Sequence, residues 1–407
     1  LALRSGGHSY GGWSTGPGLV VDVSALATMT FAGDTMTVGP GAQLVDVYDT
    51  LAGQGRAIAA GSCPTVGIGG LTLGGGIGVL SRAWGLTCDS LTAAELVTAD
   101  GTIRRCDAGH EPDLFWACRG GGGGSFGVVT SLTLRTRPAP PVTVAFLRWD
   151  WRRAAGVLAA WQALAPIAPD AVWSNCHLLS QAGSATPKVT IGVAALDARS
   201  AEAFILDLNA RAGAPASRYL RTLSYRSAML LEAGCADRTT LQCHLAASST
   251  GGQLPRAPFA AKSAMFTRAL PAAGISAVVA GVERRQANRS WAEGGVAFDA
   301  LGGAVGRVAP AATAFPHRSA LFSAQYTAAW TTADGPATVS GNLAWLRAFH
   351  AAVQPYGSGG AYQNYADPDL AGYAAAYWGA NYPRLQQVKA KYDPHNLFTS
   401  PQTVRPA

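Results

Sequence analysis

Gly61-Ser62-Cys63-Pro64-Thr65-Val66-Gly67-Ile68-Gly69-Gly70-Leu71-Thr72-Leu73-Gly74-Gly75-Gly76-Ile77-Gly78 places eight glycines in eighteen positions. Glycine loses more backbone freedom on folding than any other residue, so a run of this density disfavours a regular element. It suits a flat or extended ligand lying directly on main chain, where a Cβ would intervene. Two more stretches share the texture. Arg4-Ser5-Gly6-Gly7-His8-Ser9-Tyr10-Gly11-Gly12 sets four glycines around one histidine. Asp113-Leu114-Phe115-Trp116-Ala117-Cys118-Arg119 runs into Gly120 to Gly124, then into the β-branched Ser125-Phe126-Gly127-Val128-Val129. Adjacent amides without side chains form anion nests, as a pyrophosphate requires. None of the three is a Walker loop or a dinucleotide fingerprint. Singly, each also fits a turn beside a buried histidine or an inert thiol; together they require one large cofactor.

The whole chain agrees with a folded, ligand-lined protein. Glycine is 49 of 407 residues, about 12%, against an ordinary ~7%. Hydrophobic residues make up 48% and charged residues 14%, which excludes disorder. The net charge is +7, but the basic residues are scattered, with pairs such as Arg104-Arg105, Arg152-Arg153 and Arg284-Arg285, so nucleic acid is not an expected partner. The uncharged run Ala57 to Ser81 has the length of a membrane span, yet it carries eight glycines and Pro64, so no membrane partner is expected. Leu1-Ala2-Leu3-Arg4 has neither the charged nor the apolar region of a signal peptide, and compartment is left open. The seven cysteines include no CxxC pair and no zinc-like spacing, so no metal is expected and at least one thiol is unpaired.

From Leu1 to Pro138, short β-like runs (Leu19 to Val23, Thr35 to Val38, Ala94 to Thr98) alternate with glycine-rich loops, and Gln43 to Ala52 is helix-like. Arg137-Pro138-Ala139-Pro140-Pro141 breaks any central strand and marks a seam. Beyond it, strand-like runs (Val142 to Leu147, Val172 to Leu179, Lys188 to Ala194, Ala320 to Trp330) alternate with helical patterns (Arg153 to Ala165, Ala201 to Ala212, Val339 to Val353), predicting a sheet with helices on one face. After residue 360 the chain is tyrosine-rich. Tyr356, Tyr362, Tyr365, Tyr373, Tyr377 and Tyr382 are six of its twelve tyrosines, and a short helix begins at Pro383 and stops at Asp393-Pro394.

On these residues the chain resembles the FAD-binding domain of the vanillyl alcohol oxidase and p-cresol methylhydroxylase (PCMH) superfamily, and within it the berberine bridge enzyme-like branch of bacterial type. The three loops match in order from residue 4 to residue 137. The end matches too, through Tyr362-Gln363-Asn364-Tyr365-Ala366-Asp367-Pro368-Asp369-Leu370, Tyr377-Trp378-Gly379-Ala380-Asn381-Tyr382-Pro383-Arg384-Leu385 and Asp393-Pro394-His395-Asn396-Leu397-Phe398. The centre matches mainly in Thr313 to Arg318.

The resemblance implies an α+β fold: a PCMH-type FAD-binding domain formed by both chain ends, residues 1–138 and 361–407, and a central α/β substrate domain with an antiparallel sheet, residues 139–360. It places Leu1 inside the family's first subdomain. It implies FAD attached covalently through His8, at the flavin 8α-methyl, and Cys63, at C6. Attachment through His8 alone and noncovalent FAD are the other readings. Cofactor contacts are expected from Arg4, Ser5, Gly6, Gly7, His8 and Ser9; from Cys63, Val66, Gly67, Gly69, Gly70, Gly74, Gly75, Gly76 and Gly78; from Gly124, Gly127 and Val129; and from Asn364 and Asn381.

Val66 matches the position that gates oxygen, and valine there favours an oxidase. Leu71 stands where plant members often carry histidine, and Leu301 where some bacterial relatives have a second phenol. Tyr365 matches the family's catalytic base, with Tyr362 as its hydrogen-bonding partner and Gln325 as a substrate-side group that stabilises it. His317 and Asn396 are softer candidates. A phenol near pKa 10 needs a depressing neighbour to act as base near neutrality. The implied reaction is hydride transfer from an alcohol carbon of a sugar, lactol or polyketide-type natural product to flavin, with O2 reduced to H2O2, by a monomer or homodimer. A dehydrogenase with another acceptor and a non-enzymatic flavin carrier share the same motifs.

Overall fold

The computed structural model describes residues 1–407. In chain order the strands are β1 (Ala2–Arg4), β2 (Val20–Asp22), β3 (Met29–Ala32), β4 (Thr35–Val38), β5 (Arg56–Ala57), β6 (Leu91–Val97), β7 (Ile103–Asp107), β8 (Val128–Arg135), β9 (Arg137–Pro138), β10 (Val142–Trp149), β11 (Val172–Ser180), β12 (Lys188–Ala195), β13 (Ser217–Leu223), β14 (Phe259–Phe266), β15 (Gly294–Ala300) and β16 (Phe322–Ala329). They form a five-stranded sheet in the order β3-β4-β8-β6-β7, a seven-stranded sheet in the order β13-β10-β12-β11-β15-β16-β14, and the two small pairs β1-β2 and β5-β9. Every pairing within the two large sheets is antiparallel.

The seven-stranded sheet has two chemically distinct faces because side chains alternate along each strand. In β12, Val189, Ile191 and Val193 enter one apolar core; in β10, Ala145, Leu147 and Trp149 enter the same core, as do Val296, Phe298 and Ala300 of β15. That core is closed by the helices Ala154–Leu164, Ala198–Ala212, Ala272–Gln286 and Pro336–Val353. The Ala198–Ala212 helix starts where Asp197 accepts the Ser200 N–H, at 2.7 Å, an N-cap that satisfies one otherwise orphaned donor. The alternate residues, among them Phe146, Asn175, His177, Thr190, Asp299 and Gln325, face the other way and line a cavity.

On the far side of that cavity lies a second core. It joins Met36, Val38, Leu44 and Leu51 of the N-terminal half to Ala376, Trp378, Leu385 and Val388 near the C-terminus, which brings both ends of the chain to one side of the site. No helix is long and apolar enough to cross a membrane. Within Ala57 to Ser81 the regular structure is the last residue of β5, the short helix Ile68–Leu73 and the first residue of the helix Ser81–Trp84. Cys235 and Cys243 form a disulfide and five cysteines are free.

Within residues 139–360, three strands, β13 to β15, and the helices Tyr225–Glu232 and Ala272–Gln286 fall outside the elements read from sequence. The edge strand β13 is mostly exposed and arginine-bearing, so it lacks the apolar alternation that betrays β12. In β14 the run Ala260-Ala261-Lys262-Ser263-Ala264 is too small-sided to read as strand.

Candidate active site

The site is a cavity of about 640 Å³, within the range of ligand pockets in general. Its floor is made by two loops pressed main chain to main chain. A Cβ on Gly6 would lie 2.3 Å from the Gly67 nitrogen, and one on Gly67 would lie 1.9 Å from Ser5 Oγ, so glycine is obligatory at both. Ser5 Oγ donates to the Pro40 carbonyl at 2.6 Å, and His8 Nε2 lies 2.7 Å from Thr65 Oγ1. Beyond this seam the wall is bare: a Cβ on Gly70 would meet nothing within 4 Å, and one on Gly123 only the Gly70 Cα, at 3.6 Å. The two backbones lie side by side and together leave a side-chain-free patch of cavity wall, a cradle on which a flat ring system can rest. Replacing Gly70 by valine is expected to fill it, lowering the flavin-to-protein absorbance ratio several-fold while far-UV circular dichroism is kept.

Arg4, Ser5, Gly6, Gly7, His8, Ser9, Cys63, Val66, Gly67, Gly69, Gly70, Gly78, Gly124, Gly127, Val129, Gln325, Tyr362, Asn364 and Tyr365 all line this one cavity. Gly74, Gly75 and Gly76 do not. They make room for protein: their missing Cβ positions lie 1.9 Å from Asn364 Oδ1, 2.9 Å from the Phe315 ring and 2.3 Å from Thr87 Oγ1. Asn381 is likewise removed from the cavity, its amide spent on the carbonyls of Pro310 (2.8 Å) and Thr313 (3.1 Å). His317 braces the Tyr377 carbonyl at 3.1 Å, and Asn396 is an exposed turn residue beside Thr399.

The aromatic wall is built on Tyr362, whose buried hydroxyl oxygen accepts from the Gly76 and Ile77 N–H groups (2.9 and 3.1 Å) and from Asn364 Nδ2 (2.9 Å). Burial pushes its pKa up to about 12, with those three donors pulling the other way. Tyr365 packs edge-on against Tyr362, with centroids 4.9 Å apart, and stacks on Tyr10 at 5.3 Å with the planes 1° apart. The depressed Tyr365 pKa expected from the sequence is not what the structure has. Burial pushes it well above the ordinary value, and the charge of Asp299 adds to this; the hydrogen-bond donors that would stabilise a phenolate converge on Tyr362 instead. Gln325 Nε2 donates to Tyr10 Oη at 2.7 Å, so it reaches Tyr365 through Tyr10.

Two members of this cluster escaped the sequence reading. Tyr10 sits inside the first glycine loop, where a lone aromatic among glycines carries no signal of its own. Asp299 is one acid in the alternating strand Val296-Ala297-Phe298-Asp299-Ala300, opposite Ser323 and Asn175 in register. Burial raises its carboxyl to about 7, and its charge bears on Tyr365, Tyr10, Cys63 and Glu232. An acid held near neutrality in the same cavity as a high-pKa phenol has the makings of a proton acceptor. His8 is lowered to about 4 by burial, with Arg256 adding to the effect, so its ring is neutral at pH 7. Cys63 is open to the cavity while protein surrounds it, and desolvation followed by Asp299 raises its thiol.

A side-chain-free cradle, a neutral imidazole, a thiol, a phenol and a raised carboxyl lining one cavity are the residue set of a flavin-linked oxidoreductase. Residues 1–107 match the family described as FAD binding domain, and residues 361–405 that described as berberine and berberine like. The chain is 32% identical over 417 aligned positions to the uncharacterized FAD-linked oxidoreductase YgaK of Bacillus subtilis, covering 99% of this chain and 85% of that one. It is 30% identical to a chitooligosaccharide oxidase of Gibberella zeae, covering 100% of this chain and 82% of that one. Among solved structures, a chitooligosaccharide oxidase superposes with a TM-score of 0.87 at 29% identity, covering 100% of this chain and 86% of that one. Berberine bridge enzyme from Eschscholzia californica superposes with a TM-score of 0.88 at 26% identity, covering 100% and 85%. This chain therefore belongs to the berberine bridge enzyme-like family of FAD-linked oxidoreductases.

Proposed function

We propose that this protein is an oxidase that removes a hydride from an alcohol carbon of a sugar, lactol or polyketide-type natural product and passes the electrons to O2, releasing H2O2. The observation that carries this reading is that Tyr365, Tyr10, Gln325 and Asp299 line the same cavity as the Gly70–Gly123 cradle, with Tyr10 stacked on Tyr365 and bonded to Gln325. Bound FAD supplies a two-electron acceptor for the hydride. The protein supplies the proton path. Tyr365 Oη takes the substrate hydroxyl proton as its own proton is relayed toward the Asp299 carboxylate in the same cavity, so no free phenolate has to persist at its raised pKa. Tyr362, fixed by three N–H donors, holds Tyr365 edge-on, and Tyr10 with Gln325 orients the reacting hydroxyl. His8 and Cys63 both line the cavity, which supports their role as the two flavin tethers. Val66 on the same wall leaves room for O2 beside the ring. The similarity to a chitooligosaccharide oxidase favours the sugar end of the substrate range.

The test is anaerobic mixing of the holoenzyme with a panel of glycosides and polyketide alcohols, followed by air. The flavin should bleach with the true substrate class, and one H2O2 should appear per substrate oxidised. Bleaching that air does not reverse but an added quinone or dye acceptor does would make the protein a dehydrogenase, and no bleaching by any alcohol would remove the reading. Proteolysis of acid-precipitated protein should give flavin-bearing peptides containing His8 and Cys63; a peptide with His8 alone would reduce the tethers to one.

A further inference from the structure

The strand register of the seven-stranded sheet extends the cavity in one direction. Crossing the sheet from the reactive end, Asp299 pairs with Asn175, Asn175 with Gly192, Gly192 with Phe146, and Phe146 with Tyr219. All five lie on the face turned away from the helix-packed core. At about 4.8 Å per strand, Phe146 lies roughly 14 Å and Tyr219 roughly 19 Å from Asp299. The middle of the row is low and polar. Gly192 has no side chain, and its N–H donates to Asn175 Oδ1 at 2.9 Å, which fixes the amide and leaves its own donors for a ligand. His177 and Thr190 form a parallel polar row beside it. Across from the floor, Glu232 lines the same cavity with Oε1 buried and without a hydrogen-bond partner.

The far end is aromatic and open. Phe146 is 37% and Tyr219 39% exposed, with ring centroids 6.0 Å apart and planes tilted by 33°. Two neighbouring aromatic rings left partly open at the end of a polar trough offer a ready stacking surface. The alternation fits a chain of pyranose rings, whose hydroxyls take the polar row and whose apolar ring faces stack on aromatics. A compact alcohol would reach only the near end.

We infer that the cavity continues as a groove for a linear oligosaccharide, with Phe146 and Tyr219 forming a distal platform that stacks on the third or fourth ring counted from the oxidised one. This rests on the hydride-transfer reading for which end reacts, but the platform can be judged by binding alone. The experiment titrates the holoenzyme anaerobically with cello- and chito-oligosaccharides of one to five units, reading affinity by calorimetry and flavin reduction by absorbance. In at least one series affinity should rise about tenfold between two and four units and then level. In Tyr219→Ala, and more so in Phe146→Ala, the preference for the tetramer over the dimer should fall about tenfold in Kd and in kcat/KM. Affinity that does not grow with length in either series, or a growth that survives both substitutions, overturns the platform whatever the flavin does. Length-dependent binding that never bleaches the flavin keeps the platform and counts against the proposed reaction instead.

Discussion

Replacing Tyr365 by phenylalanine is expected to slow anaerobic flavin reduction by about 10²- to 10⁴-fold, or roughly 3–5 kcal/mol of barrier, while FAD stays bound. The substitution removes one oxygen and leaves the ring stacked on Tyr10 and edge-on to Tyr362, so the cradle keeps its shape and the loss is chemical. Tyr362→Phe is the informative contrast. It strands the Gly76 and Ile77 N–H groups without their acceptor, so it should loosen the glycine turn and lower flavin content as well as rate. Asp299→Asn tests the other half of the relay. With its carboxyl near 7, the ionised fraction grows as pH climbs from 6 to 8. The rate of flavin reduction in the unaltered protein should rise over that interval, and the variant should be slower and flat. His8, neutral above about pH 4, adds nothing to this limb. Stability should move oppositely. The folded protein holds the Asp299 proton to higher pH than the unfolded chain does, so this group favours folding at low pH and loses that contribution as pH rises through 7. A Tyr365→Phe rate within a few-fold of normal would leave Asp299 to act without it.

Much of this architecture was legible before any coordinates, and the reasons divide cleanly. The three glycine-rich loops announced themselves by composition, and the tyrosine-rich end by clustering; the structure brings both to one cavity. What composition does not reveal is which glycines serve a ligand. Gly70 and Gly74 stand four apart in the same run, yet one opens on the cradle and the other accommodates Asn364. Only the fold separates space left for a cofactor from space left for a side chain. Asn381 makes a related point: a buried carboxamide satisfies backbone carbonyls as readily as it binds FAD. Asp299 and the groove floor were invisible because strand register is a long-range property, and Asn175, Gly192, Phe146 and Asp299 span more than a hundred residues of sequence. The protonation of Tyr365 is hidden from the sequence because hydrogen bonding and burial act oppositely, and spacing alone gives no measure of either.

Lys389→Met is expected to destabilise the protein by about 3–5 kcal/mol, an effect on folding as large as the Tyr365 effect on rate. Lys389 and Asp393 are fully buried, 0% exposed each. The ammonium donates to Asp393 Oδ2, the Ser125 carbonyl and the Phe398 carbonyl, each at 2.6 Å, which uses all three of its protons. Asp393 in turn accepts from the Leu397 and Phe398 N–H groups at 2.7 and 2.9 Å. One side chain thus ties the helix Tyr382–Tyr392 to the end of the third glycine loop and to the C-terminal residues. Methionine replaces the stem but leaves a buried carboxylate uncompensated and two carbonyls without donors. Chemical denaturation should register the loss, and flavin should be exposed to solvent at a lower temperature because Ser125 borders the cradle. The double variant Lys389→Met with Asp393→Leu separates the causes. If the stranded charge dominates, the double variant recovers much of the loss, as buried ion pairs replaced whole commonly do. If it is no more stable than the single variant, the cost belongs to the released carbonyls of Ser125 and Phe398, and Lys389 acts chiefly as the clasp that closes the C-terminal segment onto the cofactor loop.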